Sequence, residues 1–274
     1  MSMHSNKSLR VGIAGLGAVG MPVARWLDTN IDGLILAGVS AGDKDRATAR
    51  VANFNSPPPV LDLSELVATS DVVVEGLPPA LFSELAEPAV KQGKTLIVMT
   101  LTSLLERLDL VNLAKQTGAT IIAATGALVG FDALRAAAKG EVYSVVMKTR
   151  KPPQGLKKAP FVIEQGFDLD SLTEPLCLYK GSVRDAAAKF PANVNVAVAL
   201  ALAGIGPDRT EYEIWADPDV ERNTHAITVD ADSVHLELAI ANVPSEENPA
   251  TGKLTALSAI ATLERLVSPF TVGT

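Results

Sequence analysis

The sequence predicts an α/β fold: a Rossmann-type doubly wound parallel sheet, followed by an α+β domain with a mostly antiparallel sheet. Three observations predict it. Apolar runs alternate with helical patterns through residue 125, and strand–helix alternation builds a parallel sheet with right-handed crossovers. A glycine-rich turn, Gly15-x-Gly17-x-x-Gly20, joins the first apolar run to the first helical pattern, which is the context that gives this motif meaning. Beyond residue 127 the alternation stops, and three strand-like segments crowd together between 210 and 241. Composition agrees. Hydrophobic residues make up 47% of the chain and aromatics only 4%, so the core is built from Ala, Val, Leu and Ile, as in parallel strands covered by helices.

Taken in order, strands are expected at 11–14, 34–40, briefly near Val60, then at 71–75, 95–100 and 120–124. Helices are expected at 20–29, 43–53, 64–69, 80–92 and 103–117, with Gly93 and Gly118 where C-terminal caps belong. Ligands of such sheets lie at the carboxyl ends of the strands, which singles out the loops at 75–79, 100–103 and 125–127. In the second region, 141–150 alternates like a strand until Lys151-Pro152-Pro153 interrupts it, and a polar, loop-like stretch follows. Helices are expected at 182–189 and 191–203. Strands follow at 210–216, 225–230 and 233–241, the last two forming a hairpin through Asp230-Ala231-Asp232. Either the outer face of this sheet or the Ala-rich helix at 196–203 could serve as a subunit interface. After a linker at 244–252, residues 253–267 read as an amphipathic helix with Leu254, Leu257, Ile260, Ala261 and Leu263 on or near one apolar stripe. That helix is expected to return to the first domain. The boundaries that follow are 1–125 for a dinucleotide-binding domain and 126–247 for a substrate-binding and dimerisation domain.

Charge and cysteine content narrow the function. A net charge of −7 argues against a nucleic-acid surface. The single Cys177 excludes an intrachain disulfide and any multi-cysteine metal site, and points to a reducing compartment. No apolar run approaches membrane-spanning length. Residues 1–8 are polar, lack the apolar stretch of a signal peptide and are expected to fray. A soluble cytoplasmic protein is expected, without metal, nucleic acid or membrane.

The glycine turn points to a dinucleotide. Gly15 permits the tight turn, Gly17 lets the backbone approach a pyrophosphate, and Gly20 lets helix and strand pack closely. The N–H groups and positive dipole of the helix start bind phosphate, which adds Ala18 and Val19 to the candidate contacts. A carboxylate about 20 residues further on would hold the ribose hydroxyls of NAD. Ser40 stands there instead. Asp43 could reach back, whereas Lys44 or Arg46 could meet a 2′-phosphate or simply form a solvated helix start. NAD and NADP both remain open.

Few groups can move a proton near neutral pH. Of three histidines, His4 lies in the tail and His235 shares a solvent face with Ser233 and Glu237. His225 opens a strand on the same face as Ile227 and Val229, so its ring is expected to point to the buried side. It is the candidate base; the plainer reading is a hydrogen-bonded structural histidine. Asn193 and Asn195 open the helix after Pro191. Asn193 suits a cap. Asn195 stands among apolar neighbours and needs a partner if buried, which a nicotinamide carboxamide, a substrate carboxylate or a backbone group would provide. Cations for an anionic substrate are Lys148, Arg150, Lys151, Lys180 and Arg184, most of them expected at the surface.

Several segments together carry a resemblance. They are Gly15–Gly20, Thr125-Gly126-Ala127, the run from Arg184 through Pro191-Ala192-Asn193-Val194-Asn195-Val196-Ala197, Ala203-Gly204-Ile205-Gly206-Pro207-Asp208-Arg209-Thr210, Ala216-Asp217-Pro218, Asn223-Thr224-His225 and Asn248-Pro249-x-Thr251. Over nearly its whole length the chain resembles the L-aspartate dehydrogenases. The resemblance implies that His225 is catalytic and that Ala127 and Asn195 contact the cofactor. It implies a homodimer that oxidises L-aspartate with NAD or NADP to iminoaspartate, then oxaloacetate and ammonia, or runs the reverse, with a link to NAD biosynthesis. One departure is Ala124-Thr125-Gly126, where Ser-Gly or Pro-Gly is expected. The alternatives are another two-domain NAD(P) oxidoreductase acting on homoserine, an imine or a sugar, and a non-catalytic dinucleotide-binding regulator. A sugar enzyme would want a lysine near the start of the second domain, and 126–138 contains none.

Overall fold

The computed structural model describes residues 8–126, 130–248 and 251–273. The chain divides into two compact units. One runs to Ala124 and takes in Ala256–Thr271; the other spans Thr125–Thr255 with the last residues.

The first unit alternates strand and helix: β1 (Leu9–Ala14), α1 (Gly20–Leu27), β2 (Leu34–Ser40), α2 (Lys44–Val51), α3 (Leu63–Thr69), β3 (Val72–Glu75), α4 (Phe82–Lys91), β4 (Thr95–Val98), α5 (Leu101–Glu106), α6 (Asp109–Thr117) and β5 (Thr120–Ala123). The five strands are parallel in the order β2-β1-β3-β4-β5. Both faces are covered, which is why 11–14 of β1 and 72–74 of β3 are apolar runs rather than alternating. Val11 and Ile13 pack with Met21, Val23, Ala47 and Val51 on one face, while α3 lies on β1 and β2, its Leu66 beside Gly12. Gly118 ends α6 with φ 76°, as its cap position predicts.

The expected helix at 103–117 is two helices. Arg107 leaves helical geometry between them (φ −123°, ψ 40°), and its guanidinium is tied to Asp109 and Glu87. The strand expected near Val60 is a single parallel bridge to Val39.

Glu75, the last residue of β3, ties two strand ends together. It is fully buried. Its carboxylate accepts from Leu77 N (2.9 Å), Met99 N (3.1 Å), Thr100 N (2.9 Å) and Thr100 Oγ1 (2.9 Å). Burial pushes its carboxyl above the ordinary range, and these four donors offset that only in part. The loops after β3 and β4 are thereby held as one piece.

The second unit contains α7 (Phe131–Ala137), β6 (Val142–Lys151), α8 (Pro160–Glu164), β7 (Leu176–Ser182), α9 (Val183–Lys189), α10 (Asn195–Ala203), β8 (Glu211–Ala216), β9 (Thr224–Ala231) and β10 (His235–Ala241). Its sheet has the order β10-β9-β6-β8-β7. Only β6 and β8 run parallel; the other pairs are antiparallel. The β9–β10 hairpin forms as expected. The stretch after Pro153, expected as loop, holds α8 and β7, and the expected change of pattern after 127 hides α7. β7 escapes detection because its register shifts between Cys177 and Tyr179 as it pairs with β8, which breaks the alternation.

On the inner face, Val145, Met147, Thr149 and Lys151 of β6 line up with Tyr212 and Ile214 of β8 and with His225, Ile227 and Val229 of β9, all of them buried. α9 packs on β7 and β8, and α10 on α9 and α7. Ala197–Ala201 of α10 are thereby buried, so this helix does not supply the free surface that its alanines suggested. The outer face keeps the exposed Ala226, Ala239 and Ala241.

The last helix, α11 (Lys253–Val267), has the expected bounds, and Ile260 and Leu263 of the expected stripe do pack on the core, but the rest of the stripe is shifted. Ala256, Ala259 and Leu263 are its buried residues, whereas Leu254 and Leu257 are exposed at 38% and 55%. Ala259 and Leu263 join the core of Val11 and Ile13. Two alanines let the helix approach closely beside Leu263, and Leu254 and Leu257 fall outside the contact. Among the described residues no helix is long and apolar enough to cross a membrane, and no three metal-ligating side chains gather.

Replacing Glu75 by Ala removes four hydrogen bonds and leaves buried N–H groups unpaired. It is expected to lower stability by about 3 kcal/mol, read from the denaturant midpoint of unfolding.

Candidate active site

The turn after β1 has the geometry that its glycines require. Gly15 has φ +92°, and its N–H donates to Ser40 O at 2.8 Å. A Cβ on Gly15 would stand 2.3 Å from Gly76 O, and one on Gly20 would stand 1.8 Å from Gly15 O. Neither position accepts a side chain. Gly17 differs, because a Cβ there would meet nothing within 4 Å. It is the exposed point of the turn, a cradle held open by the absence of a side chain. Ala18 and Val19 follow, half-buried. Val19 caps α1 without a side-chain hydrogen bond, and the first turn of α1 carries no acid. No acid of its own first turn competes for this helix start. The arrangement fits the pyrophosphate of a dinucleotide.

Ser40 is buried at the end of β2. Asp43 does not reach back. Its carboxylate caps α2 by accepting from Arg46 N at 2.9 Å. Lys44 is paired with Asp62 at 2.7 Å, both side chains exposed. The strand end therefore carries no free carboxylate of its own, and Arg46 stays exposed beside it. Ala127 lies outside the described residues.

The second unit holds the groups able to move a proton. His225, 6% exposed, lies on the inner face of β9, and its Nδ1 stands 3.0 Å from Thr149 Oγ1. The register of β6 against β9 sets them opposite each other. Thr149 is also hydrogen-bonded to Tyr212, so a buried chain runs from β8 through β6 to β9. Burial first, and the charge of Lys151 second, push His225 down to about 3. The ring is therefore neutral at physiological pH. His235, by contrast, is exposed and paired with Asp230 at 2.5 Å, which raises its pKa, in keeping with a solvent face.

Lys151, the last residue of β6, is buried as well. Its Nζ donates to Asn193 O and to Asn193 Oδ1, each at 3.2 Å. Desolvation lowers it to about 8. Asn193 thus serves Lys151 and is not a helix cap. The helix begins later than expected, with Val194 as its cap residue, because 191–193 form a turn. Asn195 is the first residue of α10 and half-buried.

The other cations are committed elsewhere. Lys148 and Lys180 flank Glu213 at 3.1 and 3.0 Å, and Arg150 holds Asp217 at 2.7 Å. Arg184 holds Asp208 at 2.5 Å. Sequence reasoning missed Thr149 and Tyr212. The alternation of 142–151 contained the signal for Thr149, since it shares a face with Val145 and Met147, but its pairing with His225 needs the strand register.

The family described as aspartate dehydrogenase, C-terminal, matches residues 132–266, and the NAD-binding domain of homoserine dehydrogenase matches residues 15–124. The chain is 48% identical to an L-aspartate dehydrogenase of Bradyrhizobium diazoefficiens, over 98% of this chain and 96% of the relative. It is also 48% identical to L-aspartate dehydrogenase 3 of Bordetella bronchiseptica, over 99% and 100%. The crystal structure of an aspartate dehydrogenase from Thermotoga maritima shares the fold with a TM-score of 0.74 at 23% identity, covering 97% of this chain and 99% of that one. Nearly full-length identity at this level, over both the glycine turn and the segment containing His225, leads to one conclusion: the chain belongs to the L-aspartate dehydrogenase family.

Proposed function

We propose that this chain oxidises L-aspartate with NAD or NADP, giving iminoaspartate and then oxaloacetate and ammonia, and that it also catalyses the reverse amination. The observation that carries the reading is the 48% identity, over 98% of the chain, to a relative named for that activity. In balance, L-aspartate, oxidised cofactor and water give oxaloacetate, ammonia, reduced cofactor and a proton. When bound, the nicotinamide supplies the hydride acceptor.

The residues supply the rest. Gly15, Gly17, Ala18, Val19 and Gly20 hold the pyrophosphate, with Ser40 at the ribose; Ala127 and Asn195 are assigned to the cofactor from the family resemblance. His225 takes the proton released by the α-amine or by the water that attacks the imine. For Nε2 to accept it, Nδ1 must carry the ring hydrogen and donate to Thr149 Oγ1, and the 3.0 Å separation suits that bond. Burial keeps the ring neutral and oriented. The outer sheet face, with Ala226, Ala239 and Ala241 exposed, is the surface on which a second copy would dock to form a homodimer. The single cysteine suits the reducing cytoplasm, where we place the enzyme.

The test is the absorbance of reduced nicotinamide on mixing the protein with aspartate and either cofactor. No signal with aspartate, and no oxidation with oxaloacetate plus ammonium, would overturn the reading.

Three outcomes are expected of variants. His225→Gln should lower kcat/KM for aspartate by about 100- to 10,000-fold while leaving cofactor affinity unchanged; steady-state kinetics and a cofactor titration check both. The folded value of His225, about 3, lies below the ordinary 6.5, so the folded state excludes a proton that the unfolded chain accepts. Stability is intact above pH 6.5 and is lost as pH falls toward 3, at up to about 1.4 kcal/mol per pH unit. Wild type should therefore lose stability relative to His225→Gln across that window, seen in unfolding midpoints at pH 7, 6 and 5. Gly17→Ala adds a methyl group into open space, so the melting temperature should hold while the cofactor dissociation constant rises about tenfold or more.

A further inference from the structure

We propose that Lys151 anchors one carboxylate of the dicarboxylate substrate, held in place by Asn193 beside His225. The inference rests on the aspartate reading above and adds a residue to it.

Lys151 stands apart from the other cations of its sheet. Lys148, Arg150 and Lys180 all pair with carboxylates on the outer face. Lys151 points to the inner face, is 7% exposed, and has no carboxylate within ion-pair distance among the described residues. An ammonium has three donors, and here two rest on the neutral oxygens of Asn193. The nearest acid along the strand pairing, Asp217, is engaged. Its Oδ2 takes Arg150 and its Oδ1 accepts from Asp219 N at 2.9 Å. A buried, unpaired charge is costly to the fold, and its lowered pKa records that cost. A methionine would fill the position without it. An incoming carboxylate supplies the missing counter-ion and the missing acceptor together.

Position strengthens the argument. Thr149, two residues before Lys151 on the same face of β6, faces His225. Lys151 is close enough for its charge to depress His225, and it is the only charge acting on that ring among the described residues. A carboxylate on Lys151 would therefore lie beside the base. It would also offset the charge that holds His225 down, so the base gains proton affinity as substrate is seated.

The experiment compares wild type with Lys151→Met and Lys151→Gln, using aspartate kinetics and competitive inhibition by succinate, a dicarboxylate without an amine. Thermal melting of each variant checks folding, and two variants guard against a failure of one. The expected result is a rise of about 100-fold in KM for aspartate and in the succinate inhibition constant, with KM for the cofactor within threefold of wild type. Unchanged succinate inhibition in a folded variant would overturn the anchor. So would a loss confined to kcat, which would make Lys151 a proton-transfer group. Absence of aspartate turnover by wild type is seen before any variant is made, and overturns the aspartate reading together with the anchor.

Discussion

The chemistry of the second unit depends on the placement of polar groups on an otherwise apolar sheet face. Val145 and Met147 of β6 give way to Thr149 and Lys151 on the same side of the strand. Four buried polar side chains gather on that face: Thr149, Lys151, Tyr212 and His225. Each must be satisfied, because an unpaired buried polar atom costs as much as several good contacts contribute. The structure pairs them locally, save for one donor of the Lys151 ammonium. Thr149 joins His225 to Tyr212, and Asn193 receives Lys151. The same desolvation that makes these bonds necessary keeps His225 neutral and weakens the ammonium of Lys151. Stability and reactivity thus have one cause.

The first unit solves a different problem with backbone alone. Its turn brings main-chain atoms where no side chain would fit, a geometry suited to phosphate. Gly15 and Gly20 are locked by carbonyl oxygens within clash distance of any Cβ, while Gly17 opens outward. Glu75 then fixes the neighbouring loops with four hydrogen bonds from a fully buried carboxylate. Rigid loops at the carboxyl ends of parallel strands give a preorganised surface, so ordering costs little when a ligand binds.

Much of this was legible before the structure. The parallel sheet was readable because strands buried on both faces are apolar runs, and the helices between them were readable from their patterns, save that α5 and α6 read as one. His225 was readable from period-two alternation, since Ile227 and Val229 share its face. β7 and α8 were not, because a register shift and short length erase periodicity. The stripe of α11 was misassigned for a related reason. Ile260 and Leu263 were read correctly, but Leu254 and Leu257 were taken as contacts where close packing selects the small Ala256 and Ala259.

The sequence by itself determined the fold class, the glycine turn and the buried side of His225, because each rests on a local pattern of residue types. Only the tertiary structure decided which polar groups act together. Asp43 lies three residues after Ser40 yet is consumed as a cap. Asn193 reads as a cap yet serves a lysine 42 residues away. Lys151 reads as one surface cation among five, and burial alone sets it apart. The physical reason is common to all three: whether a charge or a carboxamide is free depends on its partners and its exposure to water, and neither is a property of neighbouring residues in the chain.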